Sequence, residues 1–426
     1  MNIWITNASE VTPIDRGQRP LRVGLLSEIL AQRGHQVTWW TSSFDHITKR
    51  QRNVGVGLVT VRPGLALHIL QGCSYPANVD LRRVFNHWQL GYAFRRAAAH
   101  ASPPDMILCS WPTMEMAFFA VEYAKAKDVP VVIDIRDLWP DILADVLPVW
   151  SRPLGRVALL PFEMMAHRAL SSCTAITAVS EGYLNWGLGK TARARSELDR
   201  VFPLGYSNPE DSTRGALLDG SDLRSRFGLE PDKLTVWFLG TFGQTYDLET
   251  VIGAASILAQ SGAHDIQFVL SGDGEQRGAL ERKARNLKNV IFTDWVDRAG
   301  ILSLMKVAGI GLAAYRVGAP QGISNKIIEY MAAGLPIVSS LRGEAEELIE
   351  QRKLGLNYEP GNCRSLANVL QTLGRDRALR MTFAANSRSE YDSHYRADTV
   401  YGKMADYLEF VARHGRGGLR REVNGG

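Results

Sequence analysis

Short apolar runs separated by helix-length segments recur along this chain in two successive series, and no other feature restricts its fold as much. The first series contains "MNIWIT", "QVTWWT", "DMILCS", "VPVVIDI" and "CTAITAVS"; the second contains "LTVWFLG", "IQFVLSG", "NVIFTDWV", "IGLAA" and "PIVSS". Helical segments lie between them: "PLRVGLLSEILAQRG", with Pro20 at its first position and Gly34 at its end, then "DLETVIGAASILAQSG" and "RGALERKARNL". Proline at a helix start and glycine just past its end are the expected asymmetry. Strands alternating with helices are the pattern of parallel-sheet α/β units, so the expectation is two doubly wound domains in series. Pro, Gly, Ser, Asn and Asp cluster in "VFPLGYSNPEDSTRGALLDGSD", residues 201–222, and the join belongs there.

Composition narrows the class. At 426 residues, with 45% hydrophobic and 22% charged, the chain can bury two or three cores, which excludes disorder. A net charge of +5 is too small to argue for nucleic acid, and no basic stripe interleaved with aromatics runs along one element. It suits anionic substrates or an anionic membrane surface. Cys73, Cys109, Cys173 and Cys363 are too scattered for a disulfide framework or a zinc site. The N-terminus lacks a signal-peptide pattern, and no apolar run approaches the roughly 18 residues of a membrane span. The reading is a cytoplasmic protein, or one at the inner face of the cytoplasmic membrane.

Ligands of open parallel sheets bind beyond the carboxyl ends of the strands, which singles out five loops. "TNASEVTPIDRGQRP" carries Gly17 flanked by Arg16 and Arg19; "IDIRDLWPD" carries Arg136 and Asp137. "FLGTFGQTYD" offers Gly240 and Thr241, and "LSGDGEQRG" offers Asp273. The fifth is "SNKIIEYMAAGLPIVSS", residues 324–340. Ser324 can cap a helix there, Gly334 and Pro336 stop it, and a strand follows. A helix N-terminus suits a phosphate, and Lys326 adds a full charge. Glu329, one turn further, can accept two ribose hydroxyls. The stretch reads as a clamp for a nucleoside diphosphate; a surface helix with solvated Lys and Glu is the alternative.

In this order and spacing, the Gly17 loop, "RDLWP", "TAVSEG", "FPLGYS", "FLGTFG", "SGDGEQ", "VIFTDWV" and "SNKIIEYMAAGLPIV" resemble the family 4 retaining glycosyltransferases of the GT-B fold, in the branch with R-D-L-W-P and S-N-K-x-x-E-Y motifs that serves bacterial surface polysaccharides and lipid-linked glycans. The resemblance implies two Rossmann-like domains facing a central cleft: residues 1–205 for the acceptor, 206–390 for the nucleotide sugar, and 391–426 as a C-terminal helix crossing back toward the first domain, with a basic tail. It implies Glu329 on the ribose, Ser324, Asn325 and Lys326 on the diphosphate, Gly17 and Gly240 approaching the phosphates, and "VIFTDWV" flanking the base. It also marks departures. A donor-contacting Glu of the family is Gln321 here, an Arg and a Lys that neutralise the diphosphate are Thr241 and Tyr246, and a His-Asp pair is Arg136-Asp137. Lys326, with Arg16 or Arg19, then has to supply the positive charge.

The expected activity is transfer of a hexose from a nucleotide sugar, a UDP-sugar above others, to a hydroxyl of a glycan or polyprenyl-linked saccharide with retention of anomeric configuration. Asp137 and Arg136 are the candidate catalytic residues, and no cofactor or metal is expected. Residues 81–100 and 147–170 mix Arg and His with Trp, Phe and Leu, which suits a peripheral membrane contact as well as ordinary packing on a sheet. Two other readings share the clamp: a nucleotide-sugar epimerase of the same fold, and a non-catalytic nucleotide-sugar sensor.

Overall fold

The computed structural model describes all residues except 16–18, 78–79, 146–151, 209–224, 231, 264, 320–321 and 422–426, and all their side chains except those of 144–145, 152–154, 156 and 416–421. The chain divides into two units: Met1–Leu204 with Asp398–Gly426, and Gly205–Ala397.

In the first unit the strands are β1 (Asn2–Thr6), β2 (Gln36–Ser42), β3 (Phe44–Asp45), β4 (Arg50–Gln51), β5 (Gly57–Arg62), β6 (Leu65–Leu70), β7 (Met106–Trp111), β8 (Val131–Ile135), β9 (Ala175–Ala178) and β10 (Arg200–Val201). The helices are α1 (Arg22–Gln32), α2 (Leu81–Ala98), α3 (Met114–Lys127), α4 (Asp141–Asp145), α5 (Arg152–Ser172) and α6 (Glu181–Gly189). Eight strands form one sheet in the order β10-β9-β8-β7-β1-β2-β6-β5. All pairs are parallel except the β5–β6 hairpin. The chain reverses its direction of winding beside β1, where β7 lies on one side and β2 on the other, and that reversal opens a crevice at the carboxyl edge.

The second unit holds β11 (Leu234–Leu239), α7 (Leu248–Gln260), β12 (Ile266–Ser271), α8 (Arg277–Ala284), β13 (Val290–Thr293), α9 (Arg298–Val307), β14 (Ile310–Ala313), α10 (Asn325–Ala332), β15 (Ile337–Ser339), α11 (Glu344–Gln351), β16 (Gly355–Asn357), α12 (Cys363–Arg375) and α13 (Arg377–Glu390). Its sheet is parallel throughout, ordered β13-β12-β11-β14-β15-β16. This is the doubly wound 3-2-1-4-5-6 arrangement, with its switch point between β11 and β14. The last helix, α14 (Ala397–Arg421), enters the first unit. There Asp406 and Glu409 receive the Arg33 guanidinium at 2.6 and 3.1 Å, and Tyr407 donates to the Leu198 carbonyl at 2.8 Å.

Several elements depart from the sequence reading. Helix α1 starts at Arg22 with Leu21 as its cap residue, so Pro20 stands before the helix, not at its first position. Ser324 is the N-cap of α10, yet its side chain makes no capping hydrogen bond. The other end of α10 is as expected: Gly334 takes φ +63°, its N–H donates to Met331 O at 2.9 Å, and Leu335 N donates to Tyr330 O at 2.9 Å, the paired closure of a glycine-terminated helix. The sequence reading does not include the β3–β4 and β5–β6 hairpins or β16; β3, β4 and β16 are only two or three residues long, whereas β6, "LALHIL", is apolar enough to be read as a strand. Glu, Asn and Gly in "GLNYEP" read as loop, though β16 pairs three residues with β15.

One buried ion pair ties the first unit together. Arg22 is 2% exposed and forks onto both Asp134 oxygens at 2.8 and 2.9 Å, and its remaining nitrogen donates to the Phe202 and Pro203 carbonyls. Thr177 donates to Asp134 as well, at 2.9 Å. The pair thereby joins α1, β8, β9 and the segment after β10. Removing one member of such a pair leaves the other charged and buried, at a cost of about 3–5 kcal/mol. Asp134→Ala is expected to lose about that much in urea unfolding followed by tryptophan fluorescence, and a loss below about 1 kcal/mol would show the network to be slack.

Candidate functional site

In the second unit the loops after β11, β12 and β14 and the start of α10 converge at the switch point, and backbone geometry brings them together. Gly240 N donates to Ser271 O at 2.9 Å, and Phe242 N donates to Asp273 O at 2.9 Å. Gly240 and Gly272 have φ of +148° and +136°, a region open chiefly to glycine. A Cβ on Gly272 would lie 1.9 Å from Gly240 O, so the two loops approach closer than any other residue permits. Thr241 and Asp273 sit exposed on these loops, and Asp273 accepts from Gly274 N at 2.8 Å.

Helix α10 is fastened to the end of β11 by two side chains one turn apart. The Tyr330 hydroxyl receives the Leu239 N–H at 3.3 Å and donates to Leu312 O at 3.1 Å, while the Lys326 ammonium donates to Leu239 O. Positions i and i+4 share a helix face, so both polar groups of Leu239 are taken by one helix. Lys326 is 7% exposed, and its Nζ lies 4.7 and 4.3 Å from the ring centres of Phe238 and Tyr246. A Cβ on Gly240 would stand 2.0 Å from that Nζ. Gly240 therefore makes room for the ammonium as well as for the neighbouring loop.

Burial lowers the Lys326 pKa to about 8, against the pull of Glu329, which favours the charged form. Glu329 is 9% exposed and also acts electrostatically on Tyr246, whose pKa burial raises. Ser324 is buried at the helix start and Asn325 is exposed. The structure thus brings Gly240, Thr241, Asp273, Ser324, Asn325, Lys326 and Glu329 to one end of one sheet. A cation, free helix N–H groups and a carboxylate within one turn can receive a diphosphate and a vicinal diol. Gln321 and Gly17 lie outside the described residues, as does Arg16.

The first unit presents Arg136 and Asp137 just beyond β8. They do not pair with each other. Arg136 is ion-paired with Glu10 from the loop after β1, and its N–H donates to Trp111 O at 3.1 Å. Asp137 accepts from Leu138 N at 2.9 Å; burial raises its pKa, opposed by that hydrogen bond and by Arg83 and Arg136. Arg52, 4% exposed at its side chain, clamps the same β1 loop through Asp15 at 2.7 Å.

Sequence reasoning passed over Tyr330, Tyr246 and Glu10 as working parts. Tyr330 was visible as the i+4 neighbour of Lys326. Tyr246 was noticed only as a departure, and nothing in the sequence joins Glu10 to Arg136. Of "VIFTDWV", only Val290–Thr293 is strand, and Trp295 beyond it is 63% exposed. Among the described residues no three His, Cys, Asp or Glu side chains gather as a metal site.

Residues 21–194 match the family model "Glycosyl transferase 4-like domain", and residues 233–376 match "Glycosyl transferases group 1". The alpha-D-kanosaminyltransferase of Streptomyces kanamyceticus is 29% identical over 210 residues, 46% of this chain and 53% of that one. The chain spans about half the length of the curated relatives it matches. Among solved structures, the sucrose-phosphate synthase of Thermosynechococcus elongatus superposes with a TM-score of 0.73 at 18% identity, covering 96% of this chain and 98% of that one. Anabaena HepE, solved in complex with UDP-glucose, superposes at 0.65 and 20% identity, covering 96% and 99%. With one glycosyltransferase domain matched in each unit and GT-B glycosyltransferases as its structural neighbours, the chain belongs by fold and by domain to the GT-B glycosyltransferases of the family 4 type.

Proposed function

We propose that the chain is a retaining hexosyltransferase that takes its sugar from a nucleotide sugar, a UDP-sugar first among them, and passes it to a hydroxyl of a glycan or lipid-linked saccharide in bacterial polysaccharide assembly. The observation that carries this reading is the pairing of Lys326 with Glu329 on one turn of α10 at the switch point. HepE, of the same fold, binds UDP-glucose, which supports a uridine donor. Departure of the nucleoside diphosphate concentrates negative charge on its phosphate oxygens. Lys326 and the N–H groups opening α10 meet that charge in a dry setting where they count for most. The departing phosphate takes the acceptor proton, so no protein nucleophile is needed, and Asp137 orients the acceptor while Arg136, held by Glu10, fixes the loop that carries it. No metal is required in this scheme.

Incubation with UDP-, GDP- and TDP-sugars, with and without a polyprenyl-diphosphate saccharide, followed by mass-resolved chromatography, tests the reading. One donor should release its nucleotide only when acceptor is present, with the acceptor gaining one sugar mass. Isomerisation of a donor without acceptor would make the protein an epimerase, and binding without turnover would make it a sensor. With that donor, Asp137→Ala should cut kcat by about 10²-fold or more while the donor's Kd stays within about twofold. Full activity would remove Asp137 from the site.

Lys326 generates a second expectation. Its ammonium is fully charged well below pH 8 and loses its proton as the pH rises through about 8. Affinity for the nucleoside diphosphate should therefore fall between pH 7 and pH 9 in calorimetric titration, and Lys326→Gln should both weaken binding about tenfold and flatten the dependence. An unaltered pH profile in that variant would assign the charge to another residue.

A peripheral membrane role belongs to the same proposal. Among the described residues no helix is long and apolar enough to cross a bilayer. However, α2 exposes Leu81, Phe85 and Tyr92 beside Arg82, Arg95 and Arg96, and α5 exposes Val157, Leu160 and Met164 beside Arg168. Both helices pack against α3. Apolar side chains flanked by arginines suit the surface of an anionic bilayer. The protein should float with anionic liposomes and stay behind with zwitterionic ones, and absence from both fractions would reject the contact.

A further inference from the structure

The loop that presents Asp137 leaves β8 and enters α4 at Asp141. Between those points it is a tight turn: Ile142 N donates to Leu138 O at 3.1 Å, and Leu143 N donates to Pro140 O at 2.9 Å. Asp141 therefore stands one turn beyond Asp137, and whatever fixes Asp141 also fixes how Asp137 is presented. The middle of the loop is pinned to the end of β7, where Arg136 N donates to Trp111 O at 3.1 Å and Trp111 Nε1 donates to Trp139 O at 2.9 Å.

Lys190, at the C-terminal end of α6, grips the far end of this turn. Its Nζ donates to Asp141 Oδ1 at 2.6 Å, and Trp186 Nε1, one turn earlier on α6, donates to Asp141 Oδ2 at 2.7 Å. Positions i and i+4 share a helix face, so both oxygens of one carboxylate are taken by the end of one helix. The ammonium also lies 5.3 Å from the Trp186 ring centre. Helix α6 is itself seated closely on β8: a Cβ on Gly187 would lie 2.2 Å from Ile135 Cδ1. The contacts close a ring, from β8 through the Asp137 turn to Asp141, on to Lys190 and α6, and back to β8.

The same ammonium serves a second carboxylate. Glu163, on α5, accepts from Lys190 Nζ at 2.8 Å, and His167, one turn further, has its Nδ1 2.8 Å from Lys190 O. One cation is thus shared by two carboxyls from two other helices, and the sharing is unequal. Burial pushes both carboxyls up, but at Asp141 the hydrogen bonds from Lys190 and Trp186 outweigh it and hold the pKa below its ordinary value. Glu163 stays above its own, raised by burial and by Asp141 opposite. Asp141 is therefore the stronger partner of Lys190 and Glu163 the weaker. With 41% of the Asp141 side chain exposed, the pair adds little to stability. What it supplies is position.

Resting on the transferase reading above, we propose that Lys190 is a positioning residue for Asp137: by holding Asp141 it fixes the turn that aims the Asp137 carboxylate at the acceptor, a task for which Glu163 is dispensable. Catalysis by orientation responds to displacements of about 1 Å, and a turn released at one end is free to move by that much. The loss of Lys190 then falls on turnover. It spares the nucleoside diphosphate, whose candidate site is built by α10 and the loops of the second unit.

The test compares the full wild-type chain with Lys190→Met, Lys190→Arg, Asp141→Ala and Glu163→Gln. Amide hydrogen exchange, read by mass spectrometry on peptides covering residues 135–143, should quicken several-fold in Lys190→Met and Asp141→Ala and stay at the wild-type rate in Glu163→Gln. Peptides of α10 should be unchanged in all four. Unchanged exchange over 135–143 in Lys190→Met overturns the proposal, and so does an equal rise in Glu163→Gln. With the donor that the nucleotide-sugar panel identifies, kcat should fall about tenfold or more in Lys190→Met, hold within about twofold in Glu163→Gln, and recover in part in Lys190→Arg, which keeps a cation on Asp141. Nucleoside-diphosphate affinity should stay within about twofold throughout, which also verifies that the variants are folded. Full turnover in Lys190→Met, or a loss of donor affinity in step with kcat, overturns the proposal. An inactive wild type would reject the transferase reading instead, and the exchange rates would still decide whether Lys190 holds the Asp137 turn.

Discussion

The capture of Leu239 by α10 is the constraint on which the candidate donor site depends. Where a parallel strand ends, its last N–H and C=O lose their ladder partners and need others, since unpaired buried backbone is costly. In this chain both groups go to one helix, the N–H to the Tyr330 hydroxyl and the C=O to the Lys326 ammonium. The helix is thereby fixed in rotation as well as position. Its open N-terminus then stands at the switch point between β11 and β14, where a doubly wound sheet leaves room for a ligand. Gly240 follows from the same capture, because the ammonium occupies the space a Cβ would fill.

A buried lysine is an unusual fastener. Its charge is lightly solvated, so contact with the Phe238 and Tyr246 rings and the field of Glu329 must offset the lost water. The offset is incomplete, which is why burial lowers the Lys326 pKa. On the proposed reading, a diphosphate at α10 would complete it, and the ammonium would gain more from that anion than an exposed lysine would. The tyrosine at 246 fits that reading, since a second lysine there would repel the first.

Much of this was legible in the sequence because the site is local. Lys326 and Glu329 fall on one turn, Ser324 and Gly334 bracket the helix, and Gly240 and Asp273 follow strands whose apolar runs are unmistakable. What escaped is nonlocal. The Glu10–Arg136 pair spans well over a hundred residues; no spacing rule joins residues that only the sheet order brings together. The antiparallel hairpins of the first unit escaped for a different reason. Strands β3 and β4 are two residues each and β5 is half-exposed, so these lack the apolar continuity that marks a buried strand.

The two units use the same architectural position for opposite electrostatic ends. In each, the loops beyond the carboxyl edge of a parallel sheet converge beside the switch point. In the second unit the Lys326 ammonium is sunk among aromatic rings, with Glu329 in its field. In the first unit Lys49 and Arg83 stand on two separate elements, and burial raises the pKa of Glu115 nearby. Fixed positive charge on separate elements tolerates more variation in what it holds, whereas one helix turn does not.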